Sequence, residues 1–394
     1  RFIGEIESES GRASRPGALR AATARSATPS FVPGLTPFVG REVERRLLQQ
    51  RFEGAKSGRG QLVLVTGEPG IGKSRLALEL AADLEERPHA WLACRGSPQH
   101  QHTPFHPIIE LLSRGSAGES ELPLEKRWDG FSRALARAGV KPAEGLPLVS
   151  MLLGLAVGDG HPPLQVSPEQ ARRKLLATLV AWLVGMARLE PLVVVFEDLH
   201  WMDPSTLELL GLLSEAGASA PLLLVLTARP ELHAPWPLLS HHTHLTLNRL
   251  GRGQVEEMVR SLVPEAALPD DVVEVVVERT EGVPLFVEEL TKAVLEAGSW
   301  PAALREIPAS VRGSLLARLD RLGPAGEAAQ VGAVIGREFS WALLRAVSEL
   351  PNERLDAALS GLVEAELVYQ RGLPPEATYS FKHGLVQDAA YEAL

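Results

Sequence analysis

The chain has 394 residues, 45% hydrophobic and 23% charged, with a formal net charge of -9. That length exceeds one ordinary core and predicts roughly two or three domains of a globular protein. No apolar run approaches the roughly 18 residues of a membrane helix, and the acidic balance argues against broad nonspecific binding to nucleic acid. A single cysteine, Cys94, excludes an internal disulfide and a cysteine-based zinc site, and it fits a reducing cytoplasm.

The first residue is Arg1 rather than Met and no signal peptide follows, which predicts a segment of something longer. Residues 1–30 are rich in Ser, Ala, Arg and Gly with no apolar period, the composition of a linker. At Val39-Gly40-Arg41-Glu42 a helix opens whose Val43, Leu47 and Leu48 share a face, placed where its leading backbone could lie against an adenine ring or simply pack on a sheet. Next come an apolar strand, LVLV, the run Gly67-Glu68-Pro69-Gly70-Ile71-Gly72-Lys73-Ser74, and a helical pattern from Arg75. This satisfies G-x-x-x-x-G-K-[ST] in its required strand–loop–helix setting. The glycines let backbone N–H groups turn inward onto phosphate oxygens, and the helix adds the positive end of its dipole. Lys73 would reach the β and γ phosphates, and Ser74 would offer its hydroxyl to magnesium.

HAWLAC (89–94) is a short strand, followed by His100, His102 and His106 among prolines, a loop without carboxylate or thiol partners to complete a metal site. Residues 108–190 are mainly helical, an insertion without chemical motifs. In PLVVVFEDLHWMD five consecutive apolar residues imply a central parallel strand covered on both faces, with Glu197 and Asp198 where it ends. Ligands bind outside the carboxyl ends of such strands, so one acid would hold magnesium through water and the other would orient or polarise the attacking water. The strand PLLLVLTARPE brings Arg229 to the same edge, positioned to sense the γ phosphate, and HLTL (244–247) reads as a last strand. The alternation predicts an α/β fold with a doubly wound parallel sheet.

From about residue 248 the pattern is helical, including a Gly282-x-Pro284 turn that leads into a helix with Phe286, Leu290 and Val294. GSWPAALREIP reads as a hinge near residue 300. Several helices and two β runs about Gly-Pro-Pro then predict a winged helix. The expected units are a linker at 1–30, a nucleotide-binding domain at 31–247, a small helical domain at 248–300 and a winged-helix domain at 301–394.

Six motifs in order, TPFVGRE, GEPGIGKSRL, VVVFEDLHWMD, LTARPE, EGVPLFVEEL and FKHGLVQDAAYEAL, resemble those of the signal transduction ATPases with numerous domains (STAND), AAA-like P-loop ATPases. The similarity is to the ATPase region of bacterial regulators with an upstream class III nucleotidyl cyclase or serine/threonine kinase domain and downstream tetratricopeptide repeats. IGEIESESGRASR is also similar to the tail after such a cyclase domain. The resemblance implies binding of ATP or ADP with Mg2+, a slow regulatory hydrolysis, cytoplasmic location and a nucleotide-dependent homo-oligomer. It further implies that Val39, Gly40 and Arg41 touch adenine and ribose, that residues from Gly67 to Arg75 hold the phosphates, and that Arg229 is the first sensor. Pro284 would pack on adenine and His383 would meet the β phosphate of ADP. Glu197 stands where the family usually has Asp, which leaves open which acid is nearer the metal. Two other function classes stay open: a structural hub that holds nucleotide without cleaving it, and an ATP-gated transcription regulator, against which ERLDAALSGLVEAEL, the helix that would enter the DNA groove, carries four acids and one Arg.

Overall fold

The computed structural model describes residues 36–115, 124–155, 166–237, 239–263, 269–296, 311–348 and 350–394. The expected linker at 1–30 and most of the expected hinge near 300 lie outside the described residues.

Five strands, β1 (Gln61–Thr66), β2 (Ala90–Arg95), β3 (Leu192–Glu197), β4 (Leu222–Ala228) and β5 (His242–Thr246), form one parallel sheet in the order β2-β3-β4-β1-β5. Its two faces explain the unbroken apolar runs. Val193, Val195, Leu223 and Val225 point to one face, under α1 (Glu42–Lys56) and α2 (Lys73–Leu84), with Phe52, Leu76 and Leu80. Val194, Phe196, Leu224 and Leu226 point to the other. That face is covered by α3 (His106–Gly115), α4 (Leu124–Arg137), α5 (Pro142–Leu153), α6 (Pro168–Leu189) and α7 (Pro204–Ala216). The sheet is α/β and doubly wound, and the helical insertion forms much of its second layer.

Local chemistry fixes where these helices start. Ser167 and Gln170 close a reciprocal capping box at the head of α6. Buried Asp203 caps α7 by accepting from the Ser205 and Thr206 N–H groups, each at 3.0 Å, and also accepts from Phe105 N at 2.9 Å. The last contact ties the loop after β2 to the head of α7.

After β5, helices α8 (Arg252–Leu262), α9 (Asp270–Thr280) and α10 (Pro284–Glu296) close around Val255, Val259, Val272, Val276, Val287 and Leu290. The remaining residues build a third core. It holds α11 (Val311–Arg321), α12 (Pro324–Ile335), β6 (Glu338–Ser340), α13 (Trp341–Val347) and α14 (Asn352–Glu364), then β7 (Val368–Arg371), β8 (Thr378–Phe381) and α15 (Gly384–Glu392). The strands pair antiparallel in the order β6-β8-β7. β6 spans three residues, too short for a hydrophobic period, and so escapes a reading of the sequence.

Charge joins this third unit to α10. Arg318 Nη1 donates to Glu289 Oε2 at 2.6 Å with both side chains almost inaccessible. Glu288 accepts from Lys292 at 2.8 Å and from Lys382, which itself lies 3.2 Å from Glu366. Burial alone would push the Glu288 carboxyl up, but the charges of Lys382 and Lys292 outweigh it and hold the group down to about 2.

Candidate functional site

A cavity of about 640 Å³ lies at the carboxyl edge of the parallel sheet and is lined by all three units. Its floor is the loop between β1 and α2. Gly70 (φ 77°) and Gly72 (φ 104°) adopt left-handed conformations that a side chain would strain, so the glycines of the motif are required by the backbone itself. Lys73 is buried and donates to Gly67 O at 2.8 Å and Glu68 O at 2.9 Å. Burial pulls its ammonium pKa down, against the opposing pull of Asp198.

The predicted acids meet the loop here. Ser74 Oγ donates to Glu197 Oε2 at 2.6 Å, which places Glu197 as the acid against the loop hydroxyl. Asp198 follows in a left-handed conformation (φ 58°), its N–H bonded to Thr227 Oγ1 at 3.1 Å. Burial would raise the Asp198 carboxyl, yet the charges of Arg95 and Arg337 more than offset this and hold it below the usual range. Arg95, at the end of β2, pairs with both acids: Nε lies 3.2 Å from Asp198 Oδ2, and Nη2 donates to Glu197 Oε2. Arg229 lines the same cavity with its guanidinium 5.4 Å above the Trp201 ring. His200, beside the acids, is pushed down to about 4, chiefly by burial.

Val39 and Arg41 line the far end with Leu250, Met258 and Pro284. Arg41 is buried, pairs with Glu44 at 3.2 Å and donates to Asn248 O, while Gly40 takes the turn at φ 70°. Pro284 starts α10, and the next N–H, of Leu285, donates to Gly70 O at 3.2 Å, so the small helical unit rests on the phosphate loop directly. Glu68 turns its side chain to Arg249, at 2.9 Å. Arg75 pairs with Glu79 at 2.8 Å, donates to Thr36 O at 2.7 Å and stacks on Phe38.

From the third unit Arg337, Lys382 and His383 complete the wall. His383 is half-buried and lines the cavity, and burial followed by the charge of Arg337 pushes its imidazole down to about 3. It is neutral at pH 7 and offers a hydrogen bond rather than a charge. Because the folded-state pKa lies below the ordinary value, this histidine's contribution to stability is intact above about pH 6.5 and is lost as the pH falls toward 3. Thermal or urea unfolding at pH 7 and pH 5 is expected to show the wild type losing about 1 kcal/mol more than His383→Gln, after allowing for solvent in the cavity.

The residues fit a magnesium nucleotide. Ser74 Oγ and Glu197 Oε2 form a compact set of hard oxygen donors of the kind Mg2+ takes together with phosphate oxygens. The loop glycines open a backbone cradle at the head of α2, and the cavity has the volume of a nucleotide-sized ligand. His100 and His106, which the sequence places near one another, stack with ring centroids 3.7 Å apart. Arg95, Arg337 and Trp201 are site residues that the sequence does not disclose. Arg95 carries the one available signal, since it ends a parallel strand on the edge where Glu197 and Arg229 emerge.

The chain is similar to several known proteins. Residues 37–225 match the model of the AAA ATPase domain. An uncharacterized protein of Rhizobium meliloti (strain 1021) is 30% identical over 370 residues, 91% of this chain and 35% of that protein, so the chain spans about a third of the curated relative it matches. Among solved structures, a STAND protein with a tetratricopeptide repeat sensor from Pyrococcus horikoshii has the same fold, with a TM-score of 0.52 and 12% identity, covering 92% of this chain and 44% of that one. The Walker-type ATPase PABY2304 of Pyrococcus abyssi covers 90% of this chain and 96% of its own at 18% identity, with a TM-score of 0.40. Residues 37–225 thus resemble an AAA ATPase domain in sequence, and the chain has the α/β fold of the Pyrococcus horikoshii protein.

Proposed function

We propose that the chain is an ATP- and magnesium-dependent regulatory switch that hydrolyses ATP slowly and controls domains joined to it in a longer cytoplasmic protein. The observation that carries this reading is the convergence of three separately cored units on one cavity. The loop from Gly67 to Ser74 holds the phosphates, with Lys73 turned from the loop carbonyls to the β and γ oxygens. Ser74 and Glu197 hold the cation, whose charge offsets that of the phosphates. Asp198 orients and deprotonates the attacking water, and Arg229 leaves Trp201 to read the γ phosphate. Val39, Gly40, Arg41 and Pro284 enclose the adenine and ribose.

His383, neutral and on the third unit, donates to the β phosphate of ADP. A γ phosphate would crowd this contact and the nearby Glu288–Lys382 pair, so ADP favours the closed arrangement and ATP an open one, each by its differential affinity for the two. We read the third unit, with its helices and β6-β8-β7 sheet, as a winged helix serving protein contacts. Its α14 exposes Glu353, Asp356 and Glu364 against a single Arg354, a poor match to DNA phosphate. The controlled domains would be a cyclase or kinase upstream and tetratricopeptide repeats downstream, a repeat sensor being what the Pyrococcus horikoshii protein of this fold carries. The ATP-bound form would present its opened face to a second copy.

Small-angle scattering of the wild type and of Asp198→Asn tests the switch. With magnesium present, the radius of gyration is expected to be smaller in ADP than in ATP, and His383→Ala is expected to abolish the difference. Equal radii in the two nucleotides, with binding of both demonstrated, would refute it.

A further inference from the structure

Arg95 is a site residue that the proposed reaction leaves without a task. In the parallel ladder Arg95 sits in register with Glu197, so the two side chains leave the sheet edge on the same side. Gly96 then folds back against the end of β3, its N–H donating to Glu197 O at 2.8 Å. A Cβ at Gly96 would lie 2.4 Å from Asp198 O, so only glycine lets the Arg95 backbone come this close to the acids. The fork then has three partners: Nε meets Asp198 Oδ2 at 3.2 Å, Nη2 meets Glu197 Oε2, and Nη2 also lies 3.4 Å from Ser74 Oγ.

These are the same atoms that the proposed function gives to the metal. Glu197 Oε2 already accepts from Ser74 Oγ and from Arg95, which uses both of its lone pairs. A magnesium ion held by Ser74 Oγ and this oxygen, directly or through a bound water, would need one of them, and two cations on one carboxylate repel. We propose that Arg95 is an internal cation that competes with magnesium: it holds Glu197, Asp198 and Ser74 together in the metal-free protein, and metal binds only as the guanidinium withdraws. Metal affinity is therefore set by an exchange within the protein as well as by the oxygen donors. The inference rests on Ser74 and Glu197 being the metal side of the site.

Mn2+ serves as the probe, titrated into the nucleotide-free full chain and followed by electron paramagnetic resonance. Removing the competitor in Arg95→Ala is expected to tighten Mn2+ binding by roughly tenfold or more. Arg95→Lys, which keeps a charge but not the two-pronged grip, is expected to fall between the two, and it stands in if the alanine variant does not fold. Adding Glu197→Gln to Arg95→Ala is expected to reverse the gain. Equal Mn2+ affinity in wild type and Arg95→Ala, alongside normal Mn2+ uptake with ATP, would overturn the competition while sparing the metal site. Mn2+ uptake with ATP that is unaffected by Glu197→Gln would overturn the assignment of the metal ligands, and the competition with it.

Discussion

Replacing Lys73 by Ala is expected to weaken both ADP and ATP binding by roughly 100-fold or more, the consequence of removing a buried charge-assisted donor from a polyanionic ligand. Lys73 is nearly inaccessible and its ammonium is held by two carbonyls of the phosphate loop, so a long apolar stem already positions it above the cradle. Ala leaves Gly67 O and Glu68 O without that donor and lets their partial charges face the phosphates. Calorimetric titration with each nucleotide in the presence of magnesium checks the result, with far-ultraviolet circular dichroism confirming the fold. Unchanged affinity in a folded variant would remove the phosphate-loop assignment altogether.

Asp198→Asn is expected to leave nucleotide affinity within a few-fold of wild type and to lower single-turnover phosphate release by about 10²–10⁴-fold, the range for loss of a general base. The substitution is a sharp one because the backbone at 198 is left-handed, a conformation Asn adopts at least as readily as Asp. The bond from the backbone N–H to Thr227 survives, and only the negative charge is removed. Phosphate release measured beside equilibrium binding separates chemistry from retention of the ligand. Turnover that persists would shift the work of activating water to Glu197.

The parts of the site that lie within one short stretch are legible in the residues themselves, because strand, glycine turn and helix follow one another along the chain between residues 61 and 84. The apolar run into Glu197 likewise announces a buried strand, since alternate residues must serve two covered faces. Arg95 shows where this legibility stops. Apolar content marks the strand only as far as Cys94, whereas the hydrogen-bonded ladder continues to Arg95, a charged residue whose partners are 102 and 103 positions away. Arg337, Leu250 and Met258 reach the cavity only because separate units fold against it, and no spacing along the chain encodes that meeting. The histidine of FKH is recognisable by resemblance; its neutrality depends on enclosure and on Arg337, which is 46 residues earlier.

One turn of α10 has an effect out of proportion to its length. Leu285 touches the loop at Gly70, Glu288 grips Lys382 and Glu289 grips Arg318, all within about 6 Å of helix axis. The helix is therefore placed like a crank with its bearings side by side: a ligand that lifted Gly70 would act on the anchorage of the C-terminal unit through the same turn. Because the grips are sheltered from solvent, ordinary salt would hardly slacken them. A message carried this way needs no path through the distant core, and cutting it would require an alteration at that single turn.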